Sequence, residues 1–446
     1  MELKKGIHFY ICIANYVDII EAEETEYNQL NHSIHLLHSF FSGIERFAKT
    51  NCNNIEIEKI TSGRIHLFSI GSVEDTFKEV LKIAYFAYAF SLRIKEVAKY
   101  KILKDIVLKV GASYGKFFTH EMQLDEETLE FTSIGYACNF AAKLQSVAKI
   151  SEIVFDCDIK QLSNVVLACE QRASLEFKEK YNQLFYYASK LKDLGSLSFI
   201  NEQSISHFVE DQVQFLNRKQ LGDMSFTDTN SNLNFEILND NDGRKFRGIP
   251  FFADVRDFTS KFSSEDKNLS EMGFKVIKIM SDCFKAVKSN NGTHVQFQGD
   301  RECAVFVVAE SEIKTYVNPI IAGLKTIDLV SSDVGLSMGV GMSIGKLHAT
   351  RIGIRGEKDN ILVGRVVNDA DRFEDKYAKK NQLVISAIIY DILKQNNYDT
   401  LCSLFKKLND EAYYTENGFK YFQNLNEKKD LQSANSRGSY NGAWGV

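Results

Sequence analysis

The sequence predicts an α+β protein built twice in one chain, and three observations carry that expectation. Val110-Gly111-Ala112-Ser113-Tyr114-Gly115-Lys116 returns as Val340-Gly341-Met342-Ser343-Ile344-Gly345-Lys346, an offset of 340 − 110 = 230. Gly135-Tyr136-Ala137-Cys138-Asn139 returns as Gly364-Arg365-Val366-Val367-Asn368 at 229, while Gly63 answers Gly299 at 236 and Phe9 answers Phe251 at 242. Offsets that drift slowly while the order of signals holds mark a duplicated domain with loop insertions. Each copy reads as a strand, two helices, a hairpin, a helix, a strand ending in Ser-x-Gly-Lys, and a helix opened at Asn139 or Asn368. That alternation predicts a sheet with helices on one face, similar to a ferredoxin-like core.

Taken in order, the second copy starts with Phe251-Phe252-Ala253-Asp254-Val255-Arg256, an apolar strand that delivers Asp254 just before a polar helix start at Asp257-Phe258-Thr259. Val295 and Phe297 alternate, Cys303 to Val308 is a continuous run, and Gly299-Asp300 between them predicts a hairpin with Asp300 at its turn. In the first copy, residues 79–97 are apolar but carry Lys82, Arg93 and Lys95 at helical spacing, which predicts a core helix and not a membrane span. The expected divisions are a first domain at 1–190, a connector at 191–245 rich in Ser, Asn, Asp and Gly near its end, a second domain at 246–430, and a polar tail at 431–446.

The 446 residues allow two or three cores, and 44% hydrophobic residues with only 2 Pro argue for a compact chain. Lys+Arg 54 against Asp+Glu 59 gives a formal charge of −5, which offers no footprint for nucleic acid, although a small anionic ligand needs only a local basic cluster. The 8 cysteines are scattered with no Cys-x-x-Cys pair and no matching His spacing. They predict reduced, mostly buried thiols of a cytoplasmic protein and no zinc site. Asn15 and Asp18 interrupt the apolar N-terminus, so a first strand is the better reading there than a signal peptide.

An exposed Asp beside Gly is ordinary turn chemistry when it stands alone. Two carboxylates on adjacent strands are a different matter, because Asp254 and Asp300 together can hold divalent cations ~4 Å apart, the spacing used in phosphoryl transfer. With these acids, Phe258-Thr259, the Gly299-Asp300 turn and a helix running from Asn368 to Arg372, residues 248–400 resemble the catalytic domain of the class III nucleotidyl cyclases. The resemblance implies two cyclase domains packed as an intramolecular pseudo-heterodimer, with one site between the halves.

On that resemblance the second half supplies the metal ligands Asp254, Asp300 and the Val255 carbonyl for two divalent ions, Mn²⁺ or Mg²⁺. In the first half the metal positions fall on Cys12 and Arg64, neither of which serves a hard cation. That half instead supplies Asn139, Lys143 at i+4 on the same helix in place of the family's Arg, and Lys180 from Phe177-Lys178-Glu179-Lys180-Tyr181, read as part of a terminal hairpin. Backbone amides near Phe258 and Thr259 cradle the terminal phosphates, with Arg355 as a further γ-phosphate contact. Asn368 and Arg372 belong to the metal-less second interface. The bland readings are a solvated helix lysine for Lys143, a surface charge for Lys180, and helix caps for the two asparagines.

In the family, one residue four positions before the hairpin acid and one before the asparagine helix choose the base. A Lys/Asp pair reads adenine and a Glu/Cys-type pair reads guanine. Gap-free alignment places Ile60 and Thr132 there in the first half, and Gln296 and Ile361 in the second. A one-residue slip puts Lys59 in that position and restores ATP. Without purine-reading groups the chain resembles the pyrimidine cyclases of Pycsar antiphage systems, which implies CTP ahead of UTP and a cyclic product read by a separate effector. A purine cyclase with an atypical pocket and a catalytically silent nucleotide-binding module are the alternatives.

Overall fold

The computed structural model describes residues 2–126, 128–218, 225–231, 233–238, 242–256, 266–354 and 357–418. The first half begins with β1 (Glu2–Ile13), α1 (Tyr16–Tyr27), α2 (Asn31–Asn51), β2 (Ile55–Thr61), β3 (Arg64–Ile70) and α3 (Val73–Arg93). It continues with β4 (Leu108–Gln123), β5 (Leu129–Gly135), α4 (Tyr136–Val147), β6 (Glu152–Asp156), α5 (Cys157–Leu162), β7 (Glu170–Ala173), α6 (Leu175–Tyr181) and β8 (Phe185–Lys190). Then come α7 (Glu202–Arg218) and β9 (Ser225–Asp228).

The second half repeats the plan. It runs through β10 (Asp242–Arg256), α8 (Asp266–Lys288), β11 (Thr293–Gln298), β12 (Arg301–Val307), α9 (Lys314–Leu329), β13 (Ser337–Met342), β14 (Gly345–Ile354) and β15 (Glu357–Val363). It closes with α10 (Arg365–Arg372), β16 (Gln382–Ser386), α11 (Ala387–Gln395), α12 (Asp399–Cys402), β17 (Phe405–Lys407) and β18 (Ala412–Thr415).

The main strand paths of the 8-stranded first sheet and the 10-stranded second sheet match, the second adding β9 and a separate β14 on β10. The first is ordered β2-β3-β1-β4-β6-β8-β7 and the second β11-β12-β10-β13-β16-β18-β17, with β5 on β4 and β15 on β14. Alternation along β1 explains the layering. Ile7, Phe9 and Ile11 face helices α2 and α3 in the first core, and His8, Tyr10 and Cys12 face the other way, toward the groove between the halves. In the second half, Phe251 and Ala253 face the core while Phe252, Asp254 and Arg256 face the groove.

Against that face lie α4 and α10. A Cβ on Gly111 would stand 2.1 Å from the Gln145 backbone nitrogen, and one on Gly341 would stand 2.5 Å from the Ala370 carbonyl oxygen. Only glycine lets each helix rest flush on its strand.

The halves interpenetrate. Ile352, Ile361 and Val363 of the β14–β15 arm are buried in the first core, and Met122 and Ile134 of the β4–β5 arm are buried in the second. Hydrogen bonds cross as well, from Ile60 N–H to Asp359 (2.6 Å), Ser62 Oγ to the Leu362 carbonyl (2.8 Å) and Ile354 N–H to Glu45 (2.8 Å).

Three sequence expectations are refined. The strand expected to stop at Ser-x-Gly-Lys continues in the first half to Gln123, and each copy carries an extra strand, β5 or β15, before its helix. The helices open at Tyr136 and Arg365, so Asn139 and Asn368 lie inside the first turn and cap nothing. The 191–245 segment holds α7, whose Ile205, Val209, Val213 and Leu216 complete the first core. All 8 cysteines are free thiols, and no helix among the described residues is long and apolar enough to cross a membrane. Phe258, Thr259, Arg355 and the 431–446 tail lie outside the described residues.

Candidate active site

Asp254 and Asp300 come together through the ladder between β10 and β12. Ala253 pairs with Glu302, so Asp254 stands opposite Arg301 and next to the β11–β12 turn. That turn is Gly299-Asp300, with Gly299 at φ +72°, the left-handed backbone that a two-residue hairpin demands. Burial pushes the Asp254 carboxyl up to about 7, and the Asp300 charge adds to the push. Burial likewise raises Asp300 to about 6, with Glu374 adding to it. Two acids brought side by side in a buried corner, one raising the proton affinity of the other, form a donor set that suits hard divalent cations. The Val255 side chain is buried in the second core, which leaves only its backbone to offer as a ligand.

Cations within the chain border this corner. Arg256 reaches Asp254 at 3.8 Å and donates to the Glu374 carbonyl at 2.5 Å, as well as pairing with the Glu374 carboxylate. Arg301 lies over the Phe252 ring at 4.4 Å and pairs with Glu374 at 2.7 Å and Asp371 at 2.5 Å. Burial pushes the Glu374 carboxyl up to about 7 against the pull of Arg301. Sequence reasoning passed over these three residues, although Arg256 and Arg301 flank the acids directly.

From the first half, α4 presents half-buried Asn139 and exposed Lys143 one turn apart. The Lys143 charge reaches both acids, lowering Asp254 and Asp300 against the rise that burial imposes. Asn139 makes no side-chain hydrogen bond to another described residue. Lys180 is less direct. It sits on α6, a helix and not the hairpin expected, and is paired on the surface with Glu176 at 2.9 Å. The same Glu176 feels Lys143, which places the end of α6 beside α4.

The base-side residues need a correction. Thr61 pairs with Arg64 as Gln298 pairs with Arg301, an offset of 301 − 64 = 237. Both hairpins carry a one-residue irregularity just before the next pair, and beyond it Lys59 faces His66 as Gln296 faces Cys303, again 296 − 59 = 237. The bulge and turn make Lys59, not Ile60, the counterpart of Gln296, and Gly63, not Arg64, the counterpart of Asp300. Ile60 is fully buried in the first core. Lys59 Nζ donates to Glu130 at 2.6 Å and to the Phe297 carbonyl at 2.8 Å. Thr132 is buried two residues beyond Glu130, hence on the same side of β5.

Pseudo-symmetry generates a second corner without an acid pair, where Cys12 and Gly63 stand for Asp254 and Asp300. There Tyr16 packs over Gly63, Arg372 is held by Glu411 (2.8 Å) and Asp369 (2.9 Å), and Ile361 is buried in the first core. The acids face only one of the two corners.

A family model described as the adenylate and guanylate cyclase catalytic domain matches residues 8–190 and 249–409. Among solved structures, a class III adenylyl cyclase-like ATP-binding protein from Pseudomonas aeruginosa superposes with a TM-score of 0.72 at 17% identity, covering 95% of this chain and 90% of that one. The adenylyl cyclase CyaB from P. aeruginosa matches at TM-score 0.32 and 18% identity, over 39% of this chain and 94% of that one. The guanylate cyclase domain of RhGC from Catenaria anguillulae matches at TM-score 0.33 and 20% identity, over 39% and 98%. No curated protein matches the chain. Two copies of one domain, each covered by the same family description, make this chain a member of the adenylate and guanylate cyclase catalytic domain family.

Proposed function

We propose that the chain cyclises a nucleoside triphosphate bearing an amino base, ATP or CTP, to its 3′,5′-cyclic monophosphate and pyrophosphate. The observation that carries this reading is the placement of Asp254, at the end of β10, beside the Gly299-Asp300 turn of β11–β12 on the groove face. Asp254, Asp300 and the Val255 carbonyl would hold two divalent ions, Mg²⁺ or Mn²⁺. Those ions, when bound, lower the pKa of the attacking ribose hydroxyl and neutralise phosphate oxygens.

The chain's own residues supply the rest. Lys143 meets charge that builds on the α-phosphoryl oxygens as the 3′-oxygen attacks, and Asn139 orients the ribose beside it. Arg256 and Arg301, tied to Glu374, stop the acid pair from drifting apart. Lys180, paired with Glu176 on the helix that packs against α4, serves the leaving pyrophosphate.

Base choice follows from hydrogen-bond polarity. Lys59 is a donor and meets a ring nitrogen that accepts, while the Thr132 hydroxyl can accept from an exocyclic amine. Adenine N1/N6 and cytosine N3/N4 present that pair; guanine and uracil present a ring N–H that clashes with the lysine. This hydrogen-bond polarity favours CTP over UTP, but Lys59 removes the ground for excluding ATP. With it goes the main support for a pyrimidine-specific antiphage role and a dedicated effector. The test is to supply the four triphosphates separately with Mg²⁺ or Mn²⁺ and identify the products. Cyclic product from ATP or CTP supports the reading, and product from GTP or UTP alone defeats it.

A further inference from the structure

Directly behind the base-side residues lies a buried polar cluster that no local spacing in the sequence announces. His8 Nδ1 stands 2.9 Å from His66 Nε2, and His66 Nδ1 stands 2.9 Å from Glu58 Oε2. The Ser133 backbone N–H donates to Glu58 at 3.1 Å, its hydroxyl also bonds that carboxylate, and Cys138 Sγ lies 3.4 Å from His8 Nε2. His8 is fully buried, and His66 is 6% exposed.

The duplicated half is an internal control. By the offsets above, the counterparts of His8, Glu58, His66, Ser133 and Cys138 are Pro250, Val295, Cys303, Leu362 and Val367, since 8 + 242 = 250, 58 + 237 = 295, 66 + 237 = 303, 133 + 229 = 362 and 138 + 229 = 367. Val295, Cys303, Leu362 and Val367 share one apolar cluster. The fold closes there with hydrocarbon and a thiol, so two imidazoles and a carboxylate in the first half meet no demand of folding. Burying them costs desolvation that the duplicate avoids.

We propose that His8, Glu58 and His66 bind a zinc-class divalent cation, separate from the ions at Asp254 and Asp300. Each of the three offers one ligand atom within 4.8 Å of the others. Two imidazoles with one carboxylate are a borderline donor set that favours zinc or cobalt over magnesium. Burial, with His66 beside it, holds His8 well below the usual imidazole value, so its lone pair is available. With His8 Nδ1 on the ion, its Nε2–H donates to the Cys138 sulfur, which fixes the ring.

The ion is a positioning device. Glu58 precedes Lys59, Ser133 follows Thr132 and Cys138 precedes Asn139, so the cluster fixes β2, β5 and α4 at the three residues assigned above to base and ribose. That role rests on the proposed function; the binding of the ion does not.

The experiment uses the full chain carrying Asp254→Asn and Asp300→Asn, which removes the other cation site. Protein purified from zinc-supplemented cells and dialysed against EDTA is expected to retain about one equivalent of zinc by plasma mass spectrometry. Protein grown in cobalt is expected to show the visible bands of a four-coordinate ion, and both signals are lost in His66→Gln. If His66→Gln does not fold, the cobalt spectrum of the folded parent decides. Folded parent with neither retained metal nor a cobalt spectrum overturns the proposal and leaves the cluster a hydrogen-bonded chain alone.

Discussion

Lys59 Nζ, in the first half, donates at 2.8 Å to the carbonyl of Phe297, in the second, three residues before Asp300. On the proposed function, the residue that would read the base also holds the strand that leads to Asp300. Substitutions on either side of that hydrogen bond separate the two effects.

Lys59→Gln removes a buried charge, leaving Glu130 with His294 alone and Asp359 with the Ile60 N–H alone, a loss of about 3 kcal/mol. The double variant Lys59→Gln/Glu130→Gln recovers much of that stability by denaturant melt. It does not recover base choice: the kcat/KM advantage of ATP and CTP over GTP and UTP falls by about 10- to 100-fold. Unchanged discrimination would remove Lys59 from the base site.

Asp254→Asn loses cyclisation by at least about 100-fold. Its thermal midpoint stays level or rises, because burial and the Asp300 charge hold the native carboxyl up at about 7, and the amide relieves that repulsion. A large fall in midpoint would mean the carboxylate is structural.

Lys143 and Lys180 part company. Lys143→Ala lowers kcat by about 10- to 100-fold while the melting curve is unmoved, and Lys143→Arg, which keeps the charge, restores most of the rate. Lys180→Ala breaks an exposed pair with Glu176 that is worth about 0–1 kcal/mol and affects turnover less. Equal losses in both would place α6 nearer the acids than its ion pair indicates.

A second bridge between the halves sets a pH dependence. His294 Nε2 meets Glu130 at 3.1 Å and its Nδ1 meets Glu302 at 2.7 Å. Burial lowers His294, but Glu302 and Glu130 outweigh it and raise the group to about 9 from 6.5. Burial likewise raises Glu130, yet Lys59 first and His294 after it bring it down to about 2 from 4.5. The histidine contribution is complete below pH 6.5 and fades as pH rises through 9, and the glutamate contribution is complete above 4.5 and fades as pH falls through 2. Stability therefore declines between pH 6.5 and 9 by up to about 3 kcal/mol, and His294→Gln flattens that slope in pH-dependent unfolding.

The duplication, the groove-facing acids and the asparagine helix were legible because each rests on short-range signals: a repeated heptapeptide, a Gly-Asp turn, an i+4 pair. Lys59 was hidden by one bulge residue, since a gap-free alignment slides one position there and exchanges the groove face of the strand for its core face. Glu374 was invisible for another reason. It meets Arg256 from 118 residues away, and no local pattern encodes that pairing. The α7 helix could have been found, because Ile205, Val209, Val213 and Leu216 recur at helical spacing inside a segment read as a connector. The His8–Glu58–His66 cluster spans 58 residues and becomes visible only when β1, β2 and β3 lie side by side.

The most direct measurement is product analysis by mass spectrometry after incubating the chain with an equal mixture of ATP, CTP, GTP and UTP and a divalent cation. Alongside it run Asp254→Asn, Lys143→Ala and a one-to-one mixture of the two single variants. A cyclic monophosphate of ATP or CTP with pyrophosphate from the wild type, nearly none from Asp254→Asn, and no rescue on mixing agree with one site enclosed within each chain. Full activity in Asp254→Asn, or restored activity in the mixture, contradicts it.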